Sequence, residues 1–186
     1  MKNKFWINAA RVLLGLLAVS GIGAFLGLRT ITLINPWIVC AVSLTIAVLL
    51  SILLANKDMT VIPFKNYPLR LVSWILLLFS IFTGAFYVVN YIGADDNNST
   101  PTTATVERRY YKTRHRTKRI RRGRYAPTGE TYKDHYADLR LEDGHLVTIY
   151  LSATQARRLK KGQRLEAHVS PGAFGIPVVL RQTIRQ

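Results

Sequence analysis

Three long runs of apolar residues fill the first half of the chain, and short polar segments separate them. The runs extend from about Phe5 to Leu28, from about Leu33 to Ala55 and from about Leu71 to Ile92. Each run is long enough for a helix that crosses the hydrocarbon core of a bilayer, which takes about 20 residues. The first run contains one charge, Arg11, near its start, where a long side chain can reach the headgroups. The pattern therefore predicts three transmembrane helices.

The second half of the chain changes to short runs that are typical of β strands. Five strands are predicted, at residues 105–122, 136–141, 146–151, 164–169 and 176–181. The Asp143-Gly144 pair between two of these runs is a hairpin signal, and Ser152 is a candidate N-cap for a short helix. About five strands in about 80 residues indicate a small all-β, barrel-like domain of SH3-like or OB-like size, or a strongly bent sheet.

These patterns divide the chain into three parts. Residues 1–93 form the three-helix transmembrane region, and residues 106–186 form the β domain. Residues 94–105 between them are polar, with one proline and no apolar period. Such a composition predicts a flexible linker.

The charge of the chain lies mostly in its second half. The net charge is +16. Residues 1–103 contain seven Lys/Arg and three Asp, whereas residues 104–186 contain nineteen Lys/Arg and seven Asp/Glu. The apolar first half and the basic second half are therefore expected to form different parts of the protein, the first within the membrane and the second outside it.

A dense basic run begins the β domain, with ten Lys/Arg and no acid in the seventeen residues from Arg108 to Arg124. Its cations are Arg108, Arg109, Lys112, Arg114, Arg116, Lys118, Arg119, Arg121, Arg122 and Arg124. Such a run is commonly a solvated surface. Here the seven acids of the domain cannot balance it, so we expect it to bind an anionic partner. Candidate partners are lipid headgroups, an anionic envelope polymer and an acidic protein face.

The orientation of the helices follows from the Lys/Arg content of their short loops. The N-terminal segment and the loop between the second and third runs hold Lys2, Lys4, Arg11, Lys57, Lys65 and Arg70. The loop between the first and second runs holds only Arg29. This distribution predicts a cytoplasmic N-terminus and an extracytoplasmic β domain at the bacterial inner membrane. The run from Arg108 lies within about 15–20 residues of the third helix and counts partly against this orientation.

Small residues recur at helix-packing spacing in the apolar runs, at Gly23 and Gly27 and at Ser80 and Gly84. Such pairs let helices approach closely. They predict packing within the three-helix bundle, with homo- or hetero-oligomer formation as the alternative. No acidic or basic residue lies deep in a run, so independent transport is not expected.

No residue pattern indicates catalysis, a cofactor or a metal site. The histidines are His115, His135, His145 and His168, and they show no ligand spacing. Asp143, His145 and Ser152 are close in sequence, but no glycines frame the serine as in a nucleophile elbow. Cys40 is the only cysteine, which excludes an intrachain disulfide. We therefore expect a protein that is not an enzyme.

The β domain resembles small β domains of unknown function that accompany membrane helices in bacterial proteins. The resemblance covers about residues 104–182. It rests on the segments Tyr-Ala-Asp-Leu at 136–139, Asp-Gly at 143–144, Lys-Lys-Gly-Gln at 160–163 and Ser-Pro-Gly-Ala-Phe-Gly at 170–175. It implies a β fold and no particular activity. The basic run departs from what such a domain would contain.

These inferences favour a non-enzymatic membrane protein, an accessory or assembly subunit of an envelope complex, whose basic domain binds an anionic surface or partner protein. Two alternatives remain from the sequence. One is a membrane immunity protein that protects its host from a toxin. The other is a membrane anchor whose basic domain faces the cytoplasm and binds nucleic acid or ribosomes.

Overall fold

A computed structural model describes residues 2–56, 61–64, 66–119 and 125–183. Contacts divide the chain into two compact units. The helical unit comprises Met1–Asn98 together with Ser170–Val178, and the sheet unit comprises Ser99–Val169 together with Val179–Gln186.

Three long apolar helices form the helical unit, as predicted: α1 (Lys2–Leu28), α2 (Pro36–Asn56) and α3 (Tyr67–Ile92). Pro36 and Pro68 stand in the first turns of α2 and α3, where a missing backbone N–H breaks no hydrogen bond. Each helix is long and apolar enough to cross a membrane.

Glycines bring α1 and α3 into close contact. A Cβ atom added at Gly84 would meet the backbone of Gly21, and one added at Gly21 would meet the backbone of Ser80. Of the four predicted packing positions, Ser80 and Gly84 therefore lie at this contact. Gly23 and Gly27 do not, because the place that a Cβ would take at either has no neighbouring atom within 4 Å.

The buried face of α2 is a stripe of mostly small residues spaced by four: Val39, Ser43, Ala47, Ser51 and Ala55. Residues at this spacing share one helix face. The packing of α2 against α3 buries this face, while large apolar residues cover the rest of α2.

The sheet unit contains one short helix and most of a five-stranded antiparallel sheet, while the last two residues of β4 and the first two of β5 fall within the helical unit. These elements are β1 (Thr100–Arg119), β2 (Tyr125–Leu141), β3 (Leu146–Leu151), α4 (Ala153–Arg158), β4 (Arg164–Pro171) and β5 (Pro177–Thr183). The strand order is β3-β2-β1-β4-β5. A short 3₁₀ helix, Asp96–Asn98, precedes β1.

The expectation of a barrel-like domain is wrong, because the sheet is open, with β3 and β5 at its two edges. A barrel requires its first and last strands to pair. Here β1 pairs with β4 only over Thr100–Thr105, and β2 pairs with β3 only over His135–Arg140.

The first two strands are longer than the sequence indicated. Thr100–Thr105, which composition assigned to the linker, form the start of β1, and β2 begins at Tyr125 rather than at Tyr136. Threonine favours the extended backbone because it branches at Cβ, so a polar Thr-rich segment can pair as a strand when a neighbour is present.

Two local predictions are confirmed. Asp143 and Gly144 form the turn between β2 and β3, where Gly144 has a φ of 86°, a backbone conformation that glycine adopts readily. Ser152 caps α4, since its Oγ accepts a hydrogen bond from the Gln155 N–H and the Gln155 side chain accepts one from the Ser152 N–H.

The core of the sheet unit lies on one face of the sheet. Its fully buried apolar residues include Ala104, Val106, Leu139, Leu141, Val147, Leu151, Leu159 and Leu165. In β3 the buried residues alternate with exposed or half-buried ones, as expected for a sheet with one covered face.

Candidate anion-binding surface

The hairpin of β1 and β2 extends beyond the rest of the sheet. Within the described residues, Lys112–Arg119 pair with β2 alone, because the pairings of β1 with β4 and of β2 with β3 end before this segment. The eight residues of this part span about 27 Å at about 3.4 Å per residue. We call residues 108–119 of β1 and 125–138 of β2 the basic ribbon.

Seven of the ten cations predicted to bind an anionic partner lie on β1 within the basic ribbon: Arg108, Arg109, Lys112, Arg114, Arg116, Lys118 and Arg119. Arg121, Arg122 and Arg124 lie outside the described residues. The basic ribbon as defined holds eight Lys/Arg and three Asp/Glu. It therefore concentrates an excess of positive charge on a narrow, two-stranded surface.

Two of these cations lie over tyrosine rings on one face of the basic ribbon. The rings of Tyr110 and Tyr136 are stacked with centroids 5.5 Å apart, and Tyr150 of β3 meets Tyr136 edge-on at 5.7 Å. The guanidinium carbon of Arg108 lies 5.5 Å from the Tyr110 ring centre, and Nζ of Lys112 lies 5.2 Å from that of Tyr136. A ring face attracts a cation, so these side chains are held in position while their charges stay accessible.

Carboxylates neutralise only part of the charge of the basic ribbon. Arg114 lies 3.3 Å from Asp134, and Arg116 lies 3.4 Å from Glu130. A hydrogen bond to Tyr136 and the neighbouring Asp134 carboxylate raise the pKa of Arg114 above its usual value, so its charge is fixed. The Arg116 pair is exposed on both sides and contributes little to stability, which leaves its cation available to a stronger anionic partner, whereas Asp134 in the Arg114 pair is half-buried.

Arg109 differs from the other predicted cations because its contacts are structural. Its guanidinium donates hydrogen bonds to the carbonyl oxygens of Ala156 and Leu159 at the end of α4. Cations at a helix C-terminus satisfy carbonyls that have no partner within the helix. We therefore assign Arg109 to holding α4 on the sheet.

Sequence reasoning missed the pairing of tyrosines across the two strands of this surface. Tyr110 and Tyr136 belong to different strands and are directly opposite in the register, which the spacing within either strand cannot reveal. Lys133 was also missed, and its Nζ lies 4.3 Å from the ring centre of Tyr111. The alternation of tyrosine with cations along β1 was the available signal.

The described residues contain no group of three or more His, Cys, Asp or Glu that could hold a metal ion. His168 lies near two possible proton-transfer partners, with its Nδ1 3.5 Å from Ser99 Oγ and its Nε2 3.9 Å from Glu166 Oε1. Both distances exceed those of a good hydrogen bond, so they give no support for a proton relay.

No protein-family model, no curated protein and no solved structure matches this chain. The chemistry of the basic ribbon and the character of the three helices are the observations that bear on its function.

Proposed function

We propose that this chain is a multi-pass protein of the bacterial cytoplasmic membrane whose basic ribbon binds an anionic surface outside the cytoplasm. It acts without catalysis, as an accessory or assembly subunit of an envelope complex. The observation that carries this proposal is the basic ribbon itself, a two-stranded extension of the sheet with a large excess of cations.

The surface of the helices supports their insertion into a bilayer. Large apolar side chains are exposed on all three helices, among them Val19, Trp37 and Ile92, with exposed fractions of 69%, 78% and 74%. Contiguous apolar surface of this extent is unfavourable in water and favourable among acyl chains. The three helices therefore have the surface that lipid requires.

One contact supports the proposed orientation. Nε of Arg11 in α1 donates a hydrogen bond of 2.8 Å to the carbonyl oxygen of Val61, in the segment between α2 and α3. The two regions whose Lys/Arg content predicts a cytoplasmic position therefore meet at one end of the helices. Positive residues favour the cytoplasmic side, so the end of α3 would face outward.

The density of cations on the basic ribbon favours a role in binding over a role in preventing the strands from pairing with other chains. Exposed strand edges commonly carry Lys or Arg that prevent pairing with other chains. A few cations are enough for that purpose, whereas the segment from 108 to 138 contains eleven. Near an anionic membrane surface each Lys or Arg contributes about 1 kcal/mol, so a ribbon of this kind binds through the sum of its charges.

The proposal is tested with the full chain in nanodiscs of neutral phosphatidylcholine, mixed with vesicles that contain phosphatidylglycerol or phosphatidylcholine alone. We expect co-flotation with the anionic vesicles and its loss as salt rises, because the Debye length falls from about 10 Å at 0.1 M to about 3 Å at 1 M. Equal retention on neutral vesicles, or retention that salt does not change, would refute binding to an anionic surface.

A further inference from the structure

A loop from the C-terminal half of the chain belongs to the helical unit. This loop, Ser170–Val178, has the sequence Ser-Pro-Gly-Ala-Phe-Gly-Ile-Pro-Val and contains no charged residue. Its exposed residues are Pro171, Ala173, Phe174, Gly175 and Pro177. The loop therefore presents an apolar surface although it is not helical.

Hydrogen bonds tie the backbone of the loop to α3. Asn90 of α3, which is fully buried, accepts hydrogen bonds from the N–H groups of Phe174 and Ala173 through its side-chain and main-chain oxygens. Its Nδ2 donates to the carbonyl oxygen of Ile176 at 3.1 Å.

Further hydrogen bonds pair other backbone groups of the loop. Gly172 N–H donates to the Ile176 carbonyl, and Gly175 N–H donates to that of Gly172. Pro177 has no N–H, and its carbonyl accepts a hydrogen bond from Leu33 N–H. Backbone groups that are paired in this way need no water, which lowers the cost of bringing non-helical backbone to the boundary of the hydrocarbon core.

The position of Phe174 along α3 can be estimated from its contact with Phe86. The two rings are stacked, with centroids 5.2 Å apart and planes 5° apart. Phe86 stands six residues before the end of α3, about 9 Å along the helix axis. The 26 residues of α3 span about 39 Å, and a hydrocarbon core is about 30 Å thick. With α3 centred in the bilayer, Phe86 lies about 4–5 Å inside the core boundary.

We propose that the loop Ser170–Val178 is a membrane-inserted anchor whose Phe174 side chain lies among the acyl chains of the protein's own bilayer. The inference rests on the proposed membrane insertion of α3. Phe174 is 54% exposed, and Tyr91 and Ile92 at the same end of α3 are also exposed. The apolar surface of α3 thus continues onto the loop, which gives the C-terminal half of the chain its own contact with lipid.

The inference is tested by spin labels on the full chain in proteoliposomes. Replacing Cys40, the only cysteine, with serine allows one labelled cysteine at a time. Phe174→Cys places the label in the loop. Leu76→Cys, on the exposed surface of α3, is the lipid reference, and Thr154→Cys, at an exposed position of α4, is the water reference. Accessibility to oxygen reports lipid, and accessibility to a water-soluble nickel complex reports solvent.

We expect the label at 174 to be accessible to oxygen and shielded from nickel, as at position 76, with several-fold less nickel accessibility than at 154. Nickel accessibility equal to that at 154 would overturn the inference while leaving the membrane proposal intact. Shielding from both reagents would also overturn it, since a second protein surface would then cover Phe174. Water-like behaviour at 76 would overturn the membrane insertion of α3 and the inference together.

A conservative substitution provides a second readout that does not depend on labelling. Phe174→Trp, with Trp6, Trp37 and Trp74 replaced by phenylalanine, keeps an aromatic ring against Phe86. We expect lipids brominated on their acyl chains to quench its fluorescence strongly. Emission that a soluble quencher reduces and brominated lipid does not would overturn the insertion of the loop.

Discussion

Exchanging Arg114, Arg116 and Lys118 for glutamine is expected to weaken binding to anionic vesicles by roughly 100-fold at low salt. Each of these cations extends from the basic ribbon, and each contributes about 1 kcal/mol near an anionic surface, so three contribute about 3 kcal/mol. Arg116 takes part in an exposed ion pair, whereas Arg114 pairs with the half-buried Asp134 and hydrogen-bonds to Tyr136. Glutamine keeps a hydrogen-bonding side chain at each position, so the fold should stay intact, and the measurement is co-flotation of the full chain in neutral nanodiscs.

A matched variant distinguishes the basic ribbon from net charge in general. Exchanging Arg157, Arg158 and Lys161 for glutamine removes the same three charges from exposed positions on α4 and the turn that follows it. This variant should retain most of the binding. Equal losses in the two variants would show that binding follows total charge, and the basic ribbon would lose its special role.

Replacing Asn90 with leucine is expected to release the loop Ser170–Val178 from α3. The substitution leaves the Phe174 N–H without its partner and removes one of the two hydrogen bonds to the Ile176 carbonyl, which keeps the one from Gly172 N–H. An unpaired buried group costs about 1–3 kcal/mol, and a loss of about 2 kcal/mol increases the opening equilibrium roughly 30-fold. Hydrogen exchange of the loop amides in the reconstituted protein measures this change directly.

The control for Asn90 is Thr45→Val on α2. It removes a hydroxyl whose hydrogen bond to the Ala41 carbonyl lies within one helix at an exposed position. Loop exchange should remain at the wild-type rate in this variant. If the Asn90→Leu variant also exchanged at the wild-type rate, the side chain of Asn90 would not be what holds the loop.

The helices could be predicted from sequence because each is specified by a local property, the length of an apolar run. Their packing could not be predicted. Gly21, Gly23 and Gly27 all stand in the same run, and the partner helix alone decides that Gly21 makes the contact. The stripe from Val39 to Ala55 on α2 is likewise recognised only after its buried face is known.

In the sheet, too, local elements could be predicted from the sequence and long-range contacts could not. Turns and strands were predicted where local chemistry decides them, as at Gly144 and Ser152. The open form of the sheet depends on how far neighbouring strands overlap, which is a long-range property. The register that stacks Tyr110 on Tyr136 is also long-range, so the cations of the basic ribbon were predicted and their aromatic support was not.

The sequence contains a signal that Asn90 takes part in a specific contact. It is an amide near the end of the third apolar run, and a buried amide needs hydrogen-bond partners. Those partners, Phe174 and Ile176, lie more than eighty residues further along the chain. The sequence showed the requirement for partners, and the fold was needed to identify them.

Labelling of cysteines with a membrane-impermeant reagent in bacterial spheroplasts tests most directly whether the helices hold the basic ribbon outside the cytoplasm. In a Cys40→Ser background, Thr131→Cys reports on the ribbon, and Asn66→Cys reports on the segment before α3. Both positions are exposed. We predict that the cysteine at 131 is labelled in intact spheroplasts and that the cysteine at 66 is labelled only after lysis. Labelling at 66 with protection at 131 would contradict this account.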